Sequence, residues 1–173
     1  MPRVADALGH RARLLGSRVV LGLEPESDEA IDFGVDLLVA GFDGPAVVAL
    51  ASLPPRSDWS EVEPLLRSAL QEVSVVLPAR TAAGWELARY WAGELQRGGA
   101  QSYNYASRLW GLWRSLDHPP EIAALGQVMD AWEETLPQNR ASLEAEFSSL
   151  APPIIAAADR GSAASNDGFT PST

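Results

Sequence analysis

Apolar residues recur every three or four positions along most of this chain, and that spacing limits its fold more than any other feature of the sequence. Residues 120–134 show the pattern clearly, because Ile122, Leu125, Met129 and Trp132 follow one another at alternating intervals of three and four. Such intervals place side chains on one face of an α-helix and form a heptad-like seam. No stretch sustains the apolar–polar alternation of a half-buried strand. The sequence therefore predicts an all-α fold.

Proline and glycine divide this pattern into about seven mostly antiparallel helices joined by short connections. The predicted helices cover residues 3–22, 31–42, 45–53, a segment starting near 60, a segment from 80 to the Gly98–Gly99 pair, 103–116, 120–134 and a last segment from 137. Pro64 is expected in the first turn of its helix, with Trp59 just outside. We predict one compact helical domain over residues 1–157. Small and polar residues without periodicity predict a flexible tail over 158–173.

The absence of two residue types removes several classes of chemistry. The 173-residue chain contains no cysteine, and all 13 of its basic residues are arginine. Thiolate nucleophiles, disulfides, cysteine zinc sites and Schiff-base lysines are therefore excluded. Neither of the two histidines stands three residues after a glutamate, as the Glu-x-x-His pairs of a di-metal bundle require, and no nucleophile-elbow or dinucleotide-binding motif occurs. We assign no catalytic residue, no metal and no cofactor, and the sequence leans away from an enzyme.

The net charge of −10 constrains the partners of the protein. Nucleic-acid binding needs a basic stripe, so this charge disfavours it, whereas an acidic surface can face a basic protein. No apolar run in the first half approaches the ~20 residues of a membrane-spanning helix. The arginine-rich amino end fits an amphipathic first helix better than a targeting segment, although the sequence leaves the choice open. We expect a cytoplasmic protein that binds neither nucleic acid nor membrane.

Three of the six tryptophans lie between residues 108 and 134. Helical spacing assigns Trp110 and Trp113 to the inner face of one helix and Trp132 to the inner face of the next. Since a short proline turn joins the two helices, we expect a hairpin in which these indoles face each other within the core.

Two clusters of carboxylates are the candidate partner-binding residues. Asp130, Glu133 and Glu134 share one side of a predicted helix and are expected to project outward or sideways. The second cluster, at a predicted helix start, consists of Asp58, Glu61 and Glu63. A non-catalytic acidic protein of this kind can neutralise a basic surface, as immunity proteins and antitoxins do.

Two other functions remain open. A small-molecule or lipid-binding domain, with or without enzymatic activity, would line a cavity with aromatic side chains, namely Trp85, Trp91, Tyr103, Trp110, Trp113 and Trp132. A scaffolding subunit of a larger assembly would expose a contiguous apolar patch. Spacing alone does not decide whether the tryptophans fill a core or line a cavity.

The carboxy half resembles a group of small helical bacterial proteins typical of actinobacteria. Their pattern is an A-x-x-IW-x-LW helix, a proline break, an EWED-containing helix and a P-E-H-R-x-x-x-E helix. The matching residues here are Ala106, Leu109, Trp110, Leu112, Trp113, Asp130, Trp132, Glu133, Glu134, Pro137, Arg140 and Glu144. The resemblance implies an all-helical bacterial cytoplasmic protein and supplies no catalytic residue.

Overall fold

The computed structural model describes residues 2–166, with side-chain surroundings described for residues 7–162. Within this part of the chain every regular element is helical, and the predicted all-α fold is confirmed. The elements are α1 (Pro2–Leu21), α2 (Ser27–Val39), α3 (Pro45–Ala51), α4 (Trp59–Glu72), α5 (Arg80–Arg97), α6 (Ser102–Leu112), α7 (Pro120–Glu134), a 3₁₀ turn (Pro137–Asn139) and α8 (Ala141–Asn166).

Helices α2 and α4 differ from the prediction at their starts, and α8 begins at Ala141, after the 3₁₀ turn, rather than at residue 137. Helix α2 begins at Ser27 rather than residue 31, and it ends at Val39, so that Phe42 follows the helix and is exposed. Helix α4 includes Trp59, and Pro64 lies inside it, past the first turn. A proline there leaves the carbonyl of Ser60 without its helical donor. Because Ser60 is exposed, water can bond that carbonyl, and the helix continues.

The carboxyl end also differs. Residue 158, where the tail was predicted to begin, lies within α8, and Ala157 and Ala158 are buried. Alanine, serine and glycine give little hydrophobic periodicity, so the sequence does not predict a helix from residue 158 onward. The part of the predicted tail after residue 166 lies outside the described residues.

The chain divides into two compact units, Met1–Ala83 and Gly84–Thr173. In the first unit, α1 to α4 surround a core whose fully buried members include Phe33, Leu50, Leu66 and Leu70. An ion pair at 2.6 Å between Arg18 and Glu29 joins α1 to α2 at the edge of this core.

In the second unit, α6 and α7 pack against each other, and both pack against α8. The side chains that fill this interior are mainly aliphatic. The fully or nearly fully buried members are Ala106, Leu109 and Leu112 of α6, Ile122, Leu125 and Val128 of α7, and Phe147, Ala151 and Ile154 of α8. The α6–α7 hairpin is therefore present as predicted, but its innermost residues are not the tryptophans.

Among the described residues, no helix combines the length and the apolar character that crossing a lipid bilayer requires.

Candidate functional site at the carboxyl end of helix α7

The predicted cluster Asp130, Glu133 and Glu134 lies in the last five residues of α7, and all three residues are exposed. Within the described part of the chain, none of the three carboxylates forms an ion pair. The last turn of α7 contains no basic residue. A helix carries partial negative charge at this end, so carboxylates here are electrostatically unfavourable. The i, i+3 and i, i+4 spacings add repulsion among them.

Glu133 is held in place by a tyrosine from α6. The hydroxyl of Tyr103 donates a hydrogen bond to Oε1 of Glu133 at 2.6 Å. This bond, followed by partial desolvation, raises the pKa of Tyr103 above its ordinary value, because ionising the phenol would break the bond and place two negative charges together. Glu133 therefore projects from a fixed position, while its second oxygen has no partner among the described residues.

Arg140 supplies a cation near this helix end without pairing with the cluster. Its Nε donates to the carbonyl oxygen of Thr135, the residue that follows α7, at 3.0 Å. Its guanidinium lies over the ring of Trp132, 4.7 Å from the centroid. Arg140 thus offsets part of the negative potential at the end of α7. Since the cluster has three carboxylates and Arg140 has one positive charge, an excess of negative charge remains.

The second predicted cluster lies at the opposite kind of helix end. Asp58 is the N-cap residue of α4 and Glu61 is in its first turn, where the helix dipole stabilises negative charge. Glu63 pairs with Arg67 one turn later, at 2.8 Å. Local structure therefore accounts for these three acids, and their role in partner binding stays a prediction.

The indoles of α6 and α7 do not meet in the way that the sequence predicts. Trp110 and Trp113 stack on each other, with centroids 5.1 Å apart and planes 5° apart. Trp132 instead stacks on Tyr103 at 5.7 Å and packs against Phe147, and no ring contact joins it to the other two. The expectation of one shared cluster of three indoles is wrong, because aliphatic residues occupy the central positions between the helices.

The remaining aromatic candidates are dispersed through the second unit. Trp91 is buried, and its indole N–H has no hydrogen-bond partner. The ring of Trp85 packs so closely against Gly161 that an added Cβ there would lie 2.3 Å from its Nε1. Four of the six predicted cavity residues form two stacked pairs, Trp110 with Trp113 and Tyr103 with Trp132, and the small-molecule function stays a prediction.

A depression of about 410 Å³ lies between α6 and α7, beside the acidic cluster. Its lining combines one aromatic ring, a thioether, an amide and two carboxylates, from Trp110, Ala123, Gly126, Gln127, Met129, Asp130 and Glu133. Trp110 is the only predicted cavity residue among them, and Glu134 lies outside the depression.

Sequence reasoning missed Gly126, Gln127 and Met129 as members of this site. An added Cβ on Gly126 would lie 3.0 Å from Cη2 of Trp110, so the absence of a side chain there lets the indole lie against α7. A glycine in the middle of a helix costs up to about 1 kcal/mol in helix propensity. That cost is the one signal that could have drawn attention to residue 126.

No group of three histidine, aspartate or glutamate side chains among the described residues is arranged to hold a metal ion. His118 packs edge-on against Trp113 at 4.3 Å.

Comparison of the sequence with protein-family models, with curated proteins and with solved structures finds no significant match.

Proposed function

We propose that the chain is a non-catalytic, acidic helical protein that binds a partner protein with a basic surface, in the manner of an immunity protein or antitoxin. The observation that carries this proposal is the position of Asp130, Glu133 and Glu134: exposed, without ion pairs in the described structure, and grouped at the helix end where negative charge is least stable. A basic partner would relieve this unfavourable charge and gain binding energy from it.

Several other surface carboxylates in the same protein have local counterions. Arginine pairs with Asp36, Glu63, Glu94 and Asp159 at the surface. Among the described residues, no arginine forms an ion pair with the α7 cluster. The position of the cluster at the helix end that the dipole disfavours favours a binding surface over a general solubility device. The resemblance to small actinobacterial proteins stays a prediction that is compatible with this function.

The test compares two neutralised variants with the natural chain. Asp130→Asn/Glu134→Gln removes two charges from the α7 cluster, and Asp32→Asn/Glu146→Gln removes two charges from exposed positions on α2 and α8 as a matched control. Both variants have the same net charge. Each protein is immobilised and exposed to cell lysate, and a captured basic protein is then purified and its Kd measured by calorimetry at low and high salt.

We expect the α7 variant to bind the partner more weakly, with most of the loss at low salt, because screening shortens the range of charge interactions. The same variant should be slightly more stable than the natural chain, by a few tenths of a kcal/mol, since repulsion at the helix end is relieved. The control should bind the partner with the same Kd as the natural chain. Equal Kd values for all three proteins would refute the proposal.

A further inference from the structure

The depression beside the acidic cluster has one fixed aromatic wall. One face of Trp110 is stacked on Trp113, and its six-membered ring lies against Gly126 of α7. Packing on these two sides holds the indole without burying it, since 37% of Trp110 remains exposed. An exposed, immobilised indole offers a large contact surface that needs little further ordering when a ligand arrives.

Two carboxylates also line this depression. Asp130 and Glu133 both line it, and their i, i+3 spacing places them on one side of α7. The bond from Tyr103 fixes Glu133, whose free oxygen is left to accept a further hydrogen bond. A group that fits here must therefore carry donors, positive charge and a flat face.

The protein already contains pairs of this kind. The guanidinium of Arg140 lies over Trp132 at 4.7 Å, and that of Arg108 lies over Trp91 at 5.9 Å. Trp110 has no such cation among the described residues, although it lies beside two carboxylates. Indole is the side chain that binds cations most strongly through its ring face.

We propose that this depression receives the guanidinium of an arginine side chain from the partner protein, stacked on Trp110 and hydrogen-bonded to Asp130 and Glu133. The inference rests on the proposed function and adds to it a specific contact. Arginine fits better than lysine, because its planar, weakly hydrated head stacks on aromatic rings and donates to two acceptors at once.

The probe is Nα-acetyl-arginine amide, titrated into the full chain while the indole N–H signals are followed by NMR. The signal of Trp110 is assigned from the variant Trp110→Phe. The matching citrulline amide has nearly the same shape as the arginine amide but no charge. The lysine amide carries the charge but lacks a planar head group that can stack on the indole. Asp130→Asn tests a lining carboxylate, and Asp32→Asn, the same change at an exposed position on α2 outside the depression, is its control.

We expect arginine to shift the Trp110 signal with saturation, and lysine and citrulline to bind more weakly. Asp130→Asn should weaken arginine binding about two- to fivefold, the range for one exposed charge pair, and Asp32→Asn should leave it unchanged. Equal shifts with citrulline or lysine, no shift of Trp110, or equal losses in both variants would each overturn the inference.

The two proposals fail separately. If the arginine probe binds as described but no partner depends on the α7 cluster, the proposed function is wrong and the site remains. If a basic partner binds through the cluster while the probe leaves Trp110 unchanged, the charge recognition stands and the arginine site is wrong.

Discussion

The carboxylate of Glu72, at the end of α4, caps the start of α3, and this contact allows a sharp test of the first unit. The backbone N–H of Ala46 donates to both carboxylate oxygens, at 3.0 and 3.1 Å, and that of Val47 donates to Oε2 at 3.2 Å. These donors would otherwise be unsatisfied at a helix start. Removing such a cap costs about 0.5–2 kcal/mol, so we expect Glu72→Ala to destabilise the protein by that amount.

Gly44, the N-cap residue of α3, leaves the space that this carboxylate occupies. A Cβ on Gly44 would lie 2.2 Å from Oε2 and 2.7 Å from Cδ of Glu72. Gly44→Ala should therefore push the carboxylate away, at small steric cost because the glutamate side chain is flexible, but with loss of the cap. The backbone of Gly44, with φ −57° and ψ 148°, suits alanine. With no carboxylate to displace, the gain of about 0.4–1 kcal/mol from a less flexible unfolded chain should be offset by the poor preference for alanine at an N-cap.

The two substitutions should therefore be strongly non-additive. We expect Gly44→Ala to change the stability of the Glu72→Ala variant little, and to be less favourable in the natural chain by a coupling energy of about 0.5–2 kcal/mol. The four proteins of this cycle are compared by urea unfolding monitored by circular dichroism, with hydrogen exchange of the α3 amides as a local measure. If Gly44→Ala changes stability equally in both backgrounds, the cap as described is refuted.

Two further predictions concern the second unit. The pKa of Tyr103 is higher in the folded protein than in the unfolded chain, so its bond to Glu133 should stabilise the protein fully below the ordinary tyrosine pKa. This stabilisation should be lost as pH rises through the raised pKa. Glu133→Gln should move the tyrosinate absorbance transition to lower pH, and an unmoved transition would contradict this. Gly93→Ala, where no atom lies within 4 Å of the added Cβ, should stabilise α5 by up to about 1 kcal/mol. Gly161→Ala, whose Cβ would meet an indole ring, should instead lower the melting temperature, and similar behaviour of the two variants would contradict the packing described.

Helical spacing predicts the fold class and most helices, because burial of one apolar face dominates their stability. It does not distinguish neighbouring positions at the edge of that face. Leu112 rather than Trp113, and Val128 rather than Met129, are buried in α6 and α7. An apolar stripe at least 100° wide includes both members of each pair, and only packing against a second helix decides between them.

The candidate site could be predicted only in part. The charges of Asp130, Glu133 and Glu134 are visible in the sequence, and their exposure agrees with the expectation. The depression is not visible, because it depends on contact between Trp110 and Gly126 from different helices. A long-range contact of this kind leaves no periodic signal in a single sequence.

Helix α7 has a buried apolar face that stabilises it and an acidic last turn that destabilises it, and this arrangement supports a binding role. Its inward residues Ile122, Leu125 and Val128 are buried and stabilise the hairpin, whereas its last turn collects charge that the helix dipole disfavours. Acidic residues that serve solubility alone would be as effective at a helix start, where Asp58 and Glu61 already lie. In a sequence whose local preferences otherwise agree with the fold, a local conflict of this kind is expected where function requires it. The exposed indole of Trp110 lies beside the same turn, so the unfavourable charge and the aromatic ring belong to one surface.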